Sequence, residues 1–508
     1  MFSAESFNAA LAVIGVVIIV SALLSGLIER SGLPQVAVFL ALGAMLGPAG
    51  LGVLHIPLDS SALRVVAILS LALVLFTDAV SLNITEVKRR GALAFRLLGP
   101  GTLLSAALIA LAGWWLLGLG AAQAAILGAA LASTDPVLLR GLLRRRDIPA
   151  DARHALQLES GLNDVVLLPV VLVAMAFLDP SASHGGAGFA RLGLSLFIFG
   201  PGVGVLVGLL GVAALDLIRK RLGVRRDYES LYSLGIAFSA FAAAEAVHGS
   251  GFLAAFAAGM TIAALDVELC DCFVEYGGVT AEMLLLFTFV LLGSSLIWGG
   301  LSIISGETLL FTAITVMIRT PIYLLSLLGS GVETRGRLLI AWFGPRGLSS
   351  LLLVLLPVFA GLPGGEQLFP ICSLVVLVSI VLHGGSPMLL ARAAKRRAQK
   401  ESAEAGGDEV ARPLGPGPAT PETDLQTAEA GDGAGRIKVG SQQISIEELR
   451  RLWQANEPVT ILDVRTERSI EGEAAQARGA VRMLPDHVAE RARELGLNRE
   501  AWLIAYCT

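Results

Sequence analysis

Apolar stretches of about 20 residues follow one another through most of the chain, with short polar loops between them. A stretch of this length crosses the hydrocarbon core of a bilayer as one α-helix. The pattern therefore predicts an all-α polytopic membrane fold with thirteen transmembrane helices. The predicted spans are residues 8–28, 33–54, 61–82, 92–118, 121–140, 155–178, 190–218, 229–248, 250–269, 280–298, 303–329, 336–360 and 367–391.

Basic residues are concentrated in every second loop of this pattern, whereas the other side of the predicted membrane domain carries only Arg64 and Arg191. Basic loops stay in the cytoplasm. We therefore expect a multi-pass protein of a bacterial-type plasma membrane, with the N-terminus outside and the C-terminus in the cytoplasm. The odd number of spans agrees with this orientation. The basic groups lie at residues 30, 88–90, 140–153, 219–226, 335–337 and 392–400.

The composition supports the same class of protein. Hydrophobic residues make up 55% of the chain, charged residues 16%, and the mean hydropathy is +0.73, which excludes an ordinary soluble domain. The first apolar run has no basic leader, so we expect no cleavable signal peptide. The four cysteines form neither a disulfide framework nor a zinc motif. We predict no cofactor and no nucleic-acid partner.

The composition changes after the last predicted span, which indicates three parts. Residues 1–395 form the membrane domain, and residues 396–436, rich in Gly, Pro, Ala and Glu, have the composition of a disordered cytoplasmic linker. Residues 437–508 alternate helix and strand patterns, with strands predicted at 459–465 and 502–507. This part predicts a small α/β domain.

Two predicted spans are interrupted by proline beside a charged residue, at residues 134–136 (Thr-Asp-Pro) and 344–347 (Gly-Pro-Arg-Gly). Each break leaves helix ends with partial charges of about +0.5 and −0.5. If the breaks cross, Asp135 neutralises the facing N-termini and Arg346 the facing C-termini. Paired interruptions of this kind are typical of a transporter's binding site. A simple proline kink is the alternative interpretation of the first break.

The sixth predicted span carries further polar residues at helical spacing. Ser160 and Asp164 share one face, and Glu159 and Asn163 share the neighbouring one. Together with a carbonyl near Thr134, Ser160 and Asp164 would form an oxygen cage for a small hard cation. Structural contacts between helices are the alternative.

Two more charged residues lie inside predicted spans. A buried Glu159 needs a partner, because an unpaired buried charge is costly, and Arg319 is the obvious candidate. Asp78 near the inner end of the third span either lines the ion path or reaches the interface as an end residue.

These motifs, in this order, resemble the monovalent cation:proton antiporter superfamily of the NhaP/NHE type over roughly the first 390 residues. The resemblance implies thirteen spans with inverted repeats and two crossed discontinuous helices. It also implies a homodimer in the lipid bilayer that exchanges Na⁺, Li⁺ or K⁺ for H⁺. The protein would be a transporter and not an enzyme. A K⁺-selective exchanger regulated by the tail, and a cation channel, are the alternatives.

The resemblance also assigns roles to residues. It implies that Asp164 binds the proton or the cation, and that Ser160 and the Thr134 region complete a Na⁺ site. Asn163 stands where electrogenic relatives have a second aspartate, which implies electroneutral one-for-one exchange. Asp78 stands where archaeal relatives often have glutamate. The pairs Glu159–Arg319 and Asp135–Arg346 resemble the family's internal ion pairs.

The C-terminal part resembles a rhodanese-like domain, through the strand at 459–463 followed by Val-Arg465, through Arg478-Gly479-Ala480, and through the strand ending at Cys507. In that family a cysteine after this strand carries a persulfide. Only Thr508 follows Cys507. We therefore expect a sensory or docking remnant, or a truncated sequence, rather than sulfur transfer.

Overall fold

The computed structural model describes residues 15–16, 19–20, 23, 35–82, 84–143, 148–179, 186–222, 226–265, 278–384, 449, 458–463, 480–482 and 502–506. The chain divides into two compact units, Met1–Val410 and Ala411–Thr508. This division falls inside the predicted linker at 396–436, which itself lies outside the described residues.

Helices account for nearly all of the described part of the first unit. They are α1 (Gln35–Leu46), α2 (Ser61–Ser81), α3 (Ile84–Arg89), α4 (Gly91–Leu116), α5 (Ala121–Ala132), α6 (Pro136–Leu143), α7 (Ala150–Leu178), α8 (Gly188–Arg221), α9 (Arg226–Ala246), α10 (Gly251–Leu265), α11 (Gly278–Ser294), α12 (Leu296–Ser302), α13 (Gly306–Ser326), α14 (Thr334–Trp342), α15 (Leu348–Phe359) and α16 (Gly365–Gly384).

Within the described residues, seven helical segments are long and apolar enough to cross a membrane, with α5 and the start of α6 counted as one. An eighth results if α11 and α12, bent by 56° at their junction, form a single span. Shorter apolar helices include α1, α10 and α15. The predicted multi-pass helical fold is confirmed. Thirteen spans and inverted repeats stay predictions, since most of the first predicted span lies outside the described residues.

Prolines account for irregular turns within two of the long helices. In α4 the segment Leu97–Leu103 is π-helical and contains Pro100. Helix α13 is interrupted at Ile318, three residues before Pro321. Proline has no N–H to donate and crowds the preceding turn, so each site loosens the local helix. Helix α7, by contrast, continues through Pro169 as a regular α-helix.

Glycines allow two pairs of helices to pack backbone to backbone. A Cβ atom at Gly204 in α8 would lie 2.1 Å from the carbonyl oxygen of Ala254 in α10. One at Gly43 in α1 would lie 2.3 Å from the carbonyl oxygen of Val290 in α11. In a membrane, helices associate largely through such close packing of small residues.

Helix α7 lies at the centre of the first unit. It packs against α2, α4, α5, α6, α14 and α15. The side chains of Glu159 and Asp164, both on α7, are 0% and 1% exposed. The two interrupted spans, α5–α6 and α14–α15, therefore meet at the helix that carries the candidate acids.

The second unit contains a parallel three-stranded sheet of order β2-β1-β3, formed by β1 (Val459–Asp463), β2 (Val481–Arg482) and β3 (Trp502–Tyr506). The register pairs Val459 with Trp502 and Asp463 with Tyr506. The two predicted strands are confirmed at 459–463 and 502–506, whereas β2 was not predicted. Cys507 lies outside the described residues, and the rhodanese resemblance stays a prediction.

Candidate functional site

The two breaks in α5–α6 and α14–α15 cross and are joined by a backbone hydrogen bond. The N–H of Asp135, in the first break, donates to the carbonyl oxygen of Pro345, in the second, at 2.9 Å. Proline is part of each break, and the missing N–H frees backbone groups that the crossing then satisfies.

Asp135 and Arg346 bind the helix ends that the breaks create. The Asp135 carboxylate accepts the N–H of Val137 at 2.8 Å and the N–H of Leu348 at 2.7 Å, so it binds the N-termini of both α6 and α15. Arg346 Nη1 donates to the carbonyl of Ala132 at 2.7 Å, at the C-terminus of α5. Each charge therefore opposes the partial charge of the helix ends that it contacts.

Glycines flank the second break because charged side chains occupy the space of a Cβ atom. A Cβ atom at Gly347 would lie 2.0 Å from an Asp135 carboxylate oxygen. One at Gly344 would lie 2.3 Å from the Arg319 side chain. The backbone of this break is thus in direct contact with an acid on one side and a base on the other.

Glu159 on α7 is held by a dense polar cluster. Arg319 forms a bidentate pair with it, with nitrogen–oxygen distances of 2.9 and 2.8 Å. The hydroxyls of Thr134 and Tyr323 donate to the same carboxylate at 2.9 and 3.0 Å. Such a pair, with its remaining lone pairs satisfied, repays the cost of burying two charges.

The cluster extends to α4 through Tyr323. The Tyr323 and Thr102 hydroxyl oxygens are 2.9 Å apart, and the Arg319 guanidinium carbon lies 3.8 Å from the centre of the Tyr323 ring. Thr102 belongs to the π-helical segment around Pro100. The local irregularity of α4 therefore contributes a hydroxyl that the arginine–glutamate cluster uses.

Asp164 has a different environment from Glu159. The hydroxyl of Ser133, in the first break, donates to its Oδ1 atom. The side chain of Ser349, in the first turn of α15, lies near the same carboxylate without a hydrogen bond of normal geometry to it. Oδ2 still receives no hydrogen bond of normal geometry from the described residues. The carboxylate thus keeps an oxygen that can accept a proton or a cation.

An apolar cavity of about 600 Å³ reaches α7 one residue after Asp164. It is lined by Val165 of α7, by Val205 and Leu209 of α8, and by Leu253 and Phe256 of α10, among others. The cavity therefore lies between α7 and the α8–α10 pair and reaches the turn of α7 that carries Asp164, which is not itself a lining residue.

Comparison with known families agrees with these features. The family described as "Sodium/hydrogen exchanger, transmembrane" matches residues 16–392. The chain belongs to the sodium/hydrogen exchanger family. It is therefore a cation/proton antiporter of multi-pass type, a transporter and not an enzyme.

Curated relatives of this exchanger carry two kinds of name. The "K(+)/H(+) antiporter NhaP" of Alkalimonas amylolytica is 27% identical over 406 residues, covering 78% of this chain and 69% of the relative. "K(+)/H(+) antiporter NhaP2" of Shewanella oneidensis is 29% identical and covers 77% and 68%. The "Na(+)/H(+) antiporter NhaH" of Halobacillus dabanensis is 28% identical and covers 56% and 72%.

The exchanger's fold also resembles a solved structure. The sodium proton antiporter MjNhaP1 from Methanocaldococcus jannaschii matches with a TM-score of 0.61 and 21% identity. The match covers 76% of this chain and 98% of the other. At this identity the likeness concerns the fold.

The structure gives the predicted cation ligands hydrogen-bond partners of their own. The Thr134 hydroxyl donates to Glu159, and the Ser160 hydroxyl donates to the Gln157 carbonyl at 3.3 Å. The Asn163 amide donates to the Thr134 carbonyl at 3.2 Å. The cage of Ser160, Asp164 and the Thr134 carbonyl stays a prediction.

Sequence reasoning missed Ser133 and Ser349. Ser133 directly precedes the first break and Ser349 closely follows the second. In the sequence, only their closeness to the two proline breaks marks these serines as candidates. Their approach to Asp164 is visible only once the two breaks are seen to cross. Asp78 lies partly exposed on α2, which packs against α7.

Proposed function

We propose that this exchanger moves one monovalent cation, Na⁺, Li⁺ or K⁺, against one proton across the membrane by alternating access around Asp164. The observation that supports it most is the pair of acids on α7. Glu159 is fully engaged, whereas Asp164 is 1% exposed and keeps an Oδ2 atom with no normal hydrogen bond from the described residues.

The coupling of the two fluxes follows from the cost of an unneutralised charge. An ionised carboxylate at membrane depth costs several kcal/mol, about 2.5–3.5 for an acid at a helix centre. A proton or a cation on Asp164 removes that cost, and both compete for the same oxygens. The α7 region then crosses between its two states only when Asp164 is occupied, so each cation moved one way requires a proton moved the other way.

The neighbour of Asp164 supports one-for-one stoichiometry. Asn163 is neutral and uses its amide on the Thr134 carbonyl. Glu159 is paired with Arg319, and Asp135 binds two helix N-termini. Asp164 is therefore the acid of this group whose charge is left for cargo, and one negative charge carries one positive charge.

The cavity beside Val165 supports a route to the site. It lies between α7 and the α8–α10 pair, and it includes Ala264 and Leu265 at the C-terminal end of α10. In the predicted orientation this end faces the cytoplasm. The cavity thus provides an inward approach, which would close when α7 and its neighbours move against α8 and α10.

Transport by the purified protein in proteoliposomes tests the proposal. An acidic vesicle lumen should drive uptake of Na⁺, Li⁺ or K⁺ as protons leave, and an alkaline lumen should drive their efflux, measured for each cation across a range of pH. The rate should not change when a membrane potential is imposed. Cation flux without proton counter-movement would reject exchange and favour the channel alternative, and a rate that follows the potential would reject one-for-one stoichiometry.

K⁺ selectivity is the second candidate, because the relatives that cover 77–78% of this chain carry K⁺/H⁺ names. Their names apply to those proteins, and the three-cation comparison decides the preference here. All three ions bind oxygen ligands, so the type of ligand atom near Asp164 does not by itself decide the preference.

Further parts of the proposal come from the family resemblance. We infer thirteen spans with inverted repeats, an N-terminus outside, a C-terminus in the cytoplasm of a bacterial-type cell and a homodimer. The rhodanese-like tail would act as a sensory or docking part. Labelling of single cysteines from each side of the membrane tests the orientation, and mass measurement of the detergent-solubilised protein tests the dimer.

A further inference from the structure

Two serines, one from each interrupted span, approach the Asp164 carboxylate. Ser133 is 0% exposed and donates its hydroxyl to Oδ1. Ser349 is 4% exposed and lies in the first turn of α15, which packs against α7, with its side chain near the same carboxylate. The crossing thus brings a hydroxyl from each break to one acid on α7.

Both serines are held in place by the crossing itself. The Ser133 carbonyl accepts Arg346 Nη1 at 3.2 Å. Ser349 directly follows Leu348, whose N–H binds the Asp135 carboxylate at 2.7 Å. The separation of the two hydroxyls is therefore set by the backbone and by two buried charges, and a cation cannot easily spread them apart.

Other hydroxyl and amide groups near Asp164 are already committed. The Thr134 hydroxyl binds Glu159, and the Ser160 hydroxyl turns back to Gln157. The Asn163 amide nitrogen binds the Thr134 carbonyl. Turning the Thr134 hydroxyl or the Asn163 amide toward Asp164 would break an existing buried hydrogen bond, which is costly, whereas the Ser133 hydroxyl already contacts this carboxylate.

A hydroxyl suits each occupancy state of the site, because it combines one donor with two acceptor lone pairs. It donates to the ionised carboxylate before cargo arrives. When a cation binds at Oδ2, the hydroxyl can rotate and direct a lone pair toward the ion. Hard cations prefer such oxygen ligands.

We propose that Ser133 and Ser349 are specificity-determining residues, whose hydroxyl oxygens complete the ligand set at Asp164 and set the size of cation that fits. This inference rests on the proposed exchange at Asp164. The crossing fixes the positions of the two hydroxyls. The separation of the ligand oxygens then sets which of Li⁺, Na⁺ and K⁺ makes contacts of the right length.

The test measures the apparent KM for Na⁺, Li⁺ and K⁺ and the maximal rate in proteoliposomes at fixed pH. Ser133→Ala and Ser349→Ala should each raise the KM of the preferred cation about tenfold. Each variant loses one oxygen–cation contact, which is comparable in strength to a hydrogen bond to a charged group. The ratio of KM values among the cations should change, and the maximal rate should change less than KM. Ser349→Thr, which keeps the hydroxyl, should restore the KM.

Ser350→Ala is the matched control. Ser350 is the next residue of α15, is 0% exposed, and its hydroxyl has no hydrogen-bond partner among the described residues. This substitution removes the same atom next to the proposed ligand and should leave KM and the cation ratios unchanged. Elution as a single symmetric peak in detergent checks that each variant folds.

Asp164→Asn, measured in parallel, separates this inference from the proposed function. If Asp164→Asn abolishes exchange while both serine variants keep the parent KM and cation ratios, the serine assignment is overturned and the proposed function stands. A fall in maximal rate with unchanged KM and ratios also overturns it. Full exchange by Asp164→Asn would overturn both.

Discussion

Glu159 and Asp164 lie five residues apart on α7 and are equally buried, but they are treated in opposite ways by their surroundings. Glu159 receives two nitrogens of Arg319 and the hydroxyls of Thr134 and Tyr323. Asp164 receives the Ser133 hydroxyl on one oxygen, and its Oδ2 atom has no normal hydrogen bond from the described residues.

The difference supports the proposed division between an acid that holds helices together and an acid that binds cargo. A saturated carboxylate has no free lone pair for an ion, and a proton would have to displace an arginine. An incompletely saturated carboxylate is unfavourable until something binds it. Burial alone therefore does not distinguish these two acids, whereas the number of hydrogen bonds that each carboxylate receives does.

The largest expected effect is at Asp164. Asp164→Asn keeps the shape of the side chain but removes the charge that a proton or cation neutralises. We expect complete loss of cation/proton exchange with little change in thermal stability, measured by transport in proteoliposomes and by unfolding in detergent. Cation/proton exchange retained by Asp164→Asn would contradict the proposal that Asp164, unlike Glu159, binds the cargo.

Glu159→Ala should act on stability. It leaves the Arg319 charge buried without its partner, which costs about 3–5 kcal/mol. We expect a strongly lowered unfolding temperature. The double variant Glu159→Gln with Arg319→Gln should be less destabilised than Glu159→Ala, because it leaves no buried charge. If Glu159→Ala were as stable as the parent, the cluster would not be structural.

A glycine substitution tests the contact between this cluster and the second break. In Gly344→Ala the new Cβ atom would lie 2.3 Å from the Arg319 side chain, and such overpacking costs about 1–3 kcal/mol. Gly235→Ala is the control, since its Cβ atom would meet nothing within 4 Å. We expect lowered thermal stability only for Gly344→Ala. Equal stability of the two variants would contradict the close contact.

The smallest expected effect is that of Tyr323→Phe. It removes one hydrogen bond to Glu159 and one to Thr102, but leaves the arginine pair and the ring in place. We expect a loss of about 1–2 kcal/mol in unfolding free energy, with unchanged KM for the cation. A changed KM would show that the cluster also shapes the cation site.

Much of this arrangement follows from the sequence. Proline beside a charged residue indicates a broken span, because the missing N–H and the buried charge each need a special environment. The partnership of Glu159 with Arg319 follows from the cost of leaving either charge alone. The strands at 459–463 and 502–506 follow from short runs of apolar residues.

The ligands of Asp164 do not follow in the same way. Helical spacing places Ser160 on the face of Asp164, and the sequence therefore favours it. The Ser160 hydroxyl instead reaches the Gln157 carbonyl within its own helix. Ser133 and Ser349 lie next to irregular backbone, where helical periodicity does not predict the direction of a side chain. Only the crossing of two segments that are distant in sequence brings them near Asp164.

The hydrogen bond between the Asp135 N–H and the Pro345 carbonyl has a mechanical consequence. It joins two main chains, so a substitution at position 135 other than to proline leaves the donor and the acceptor in place. The two interrupted spans are therefore tied at their midpoints. In the proposed mechanism we expect them to move together, along with the helix that carries Asp164, as one shuttle.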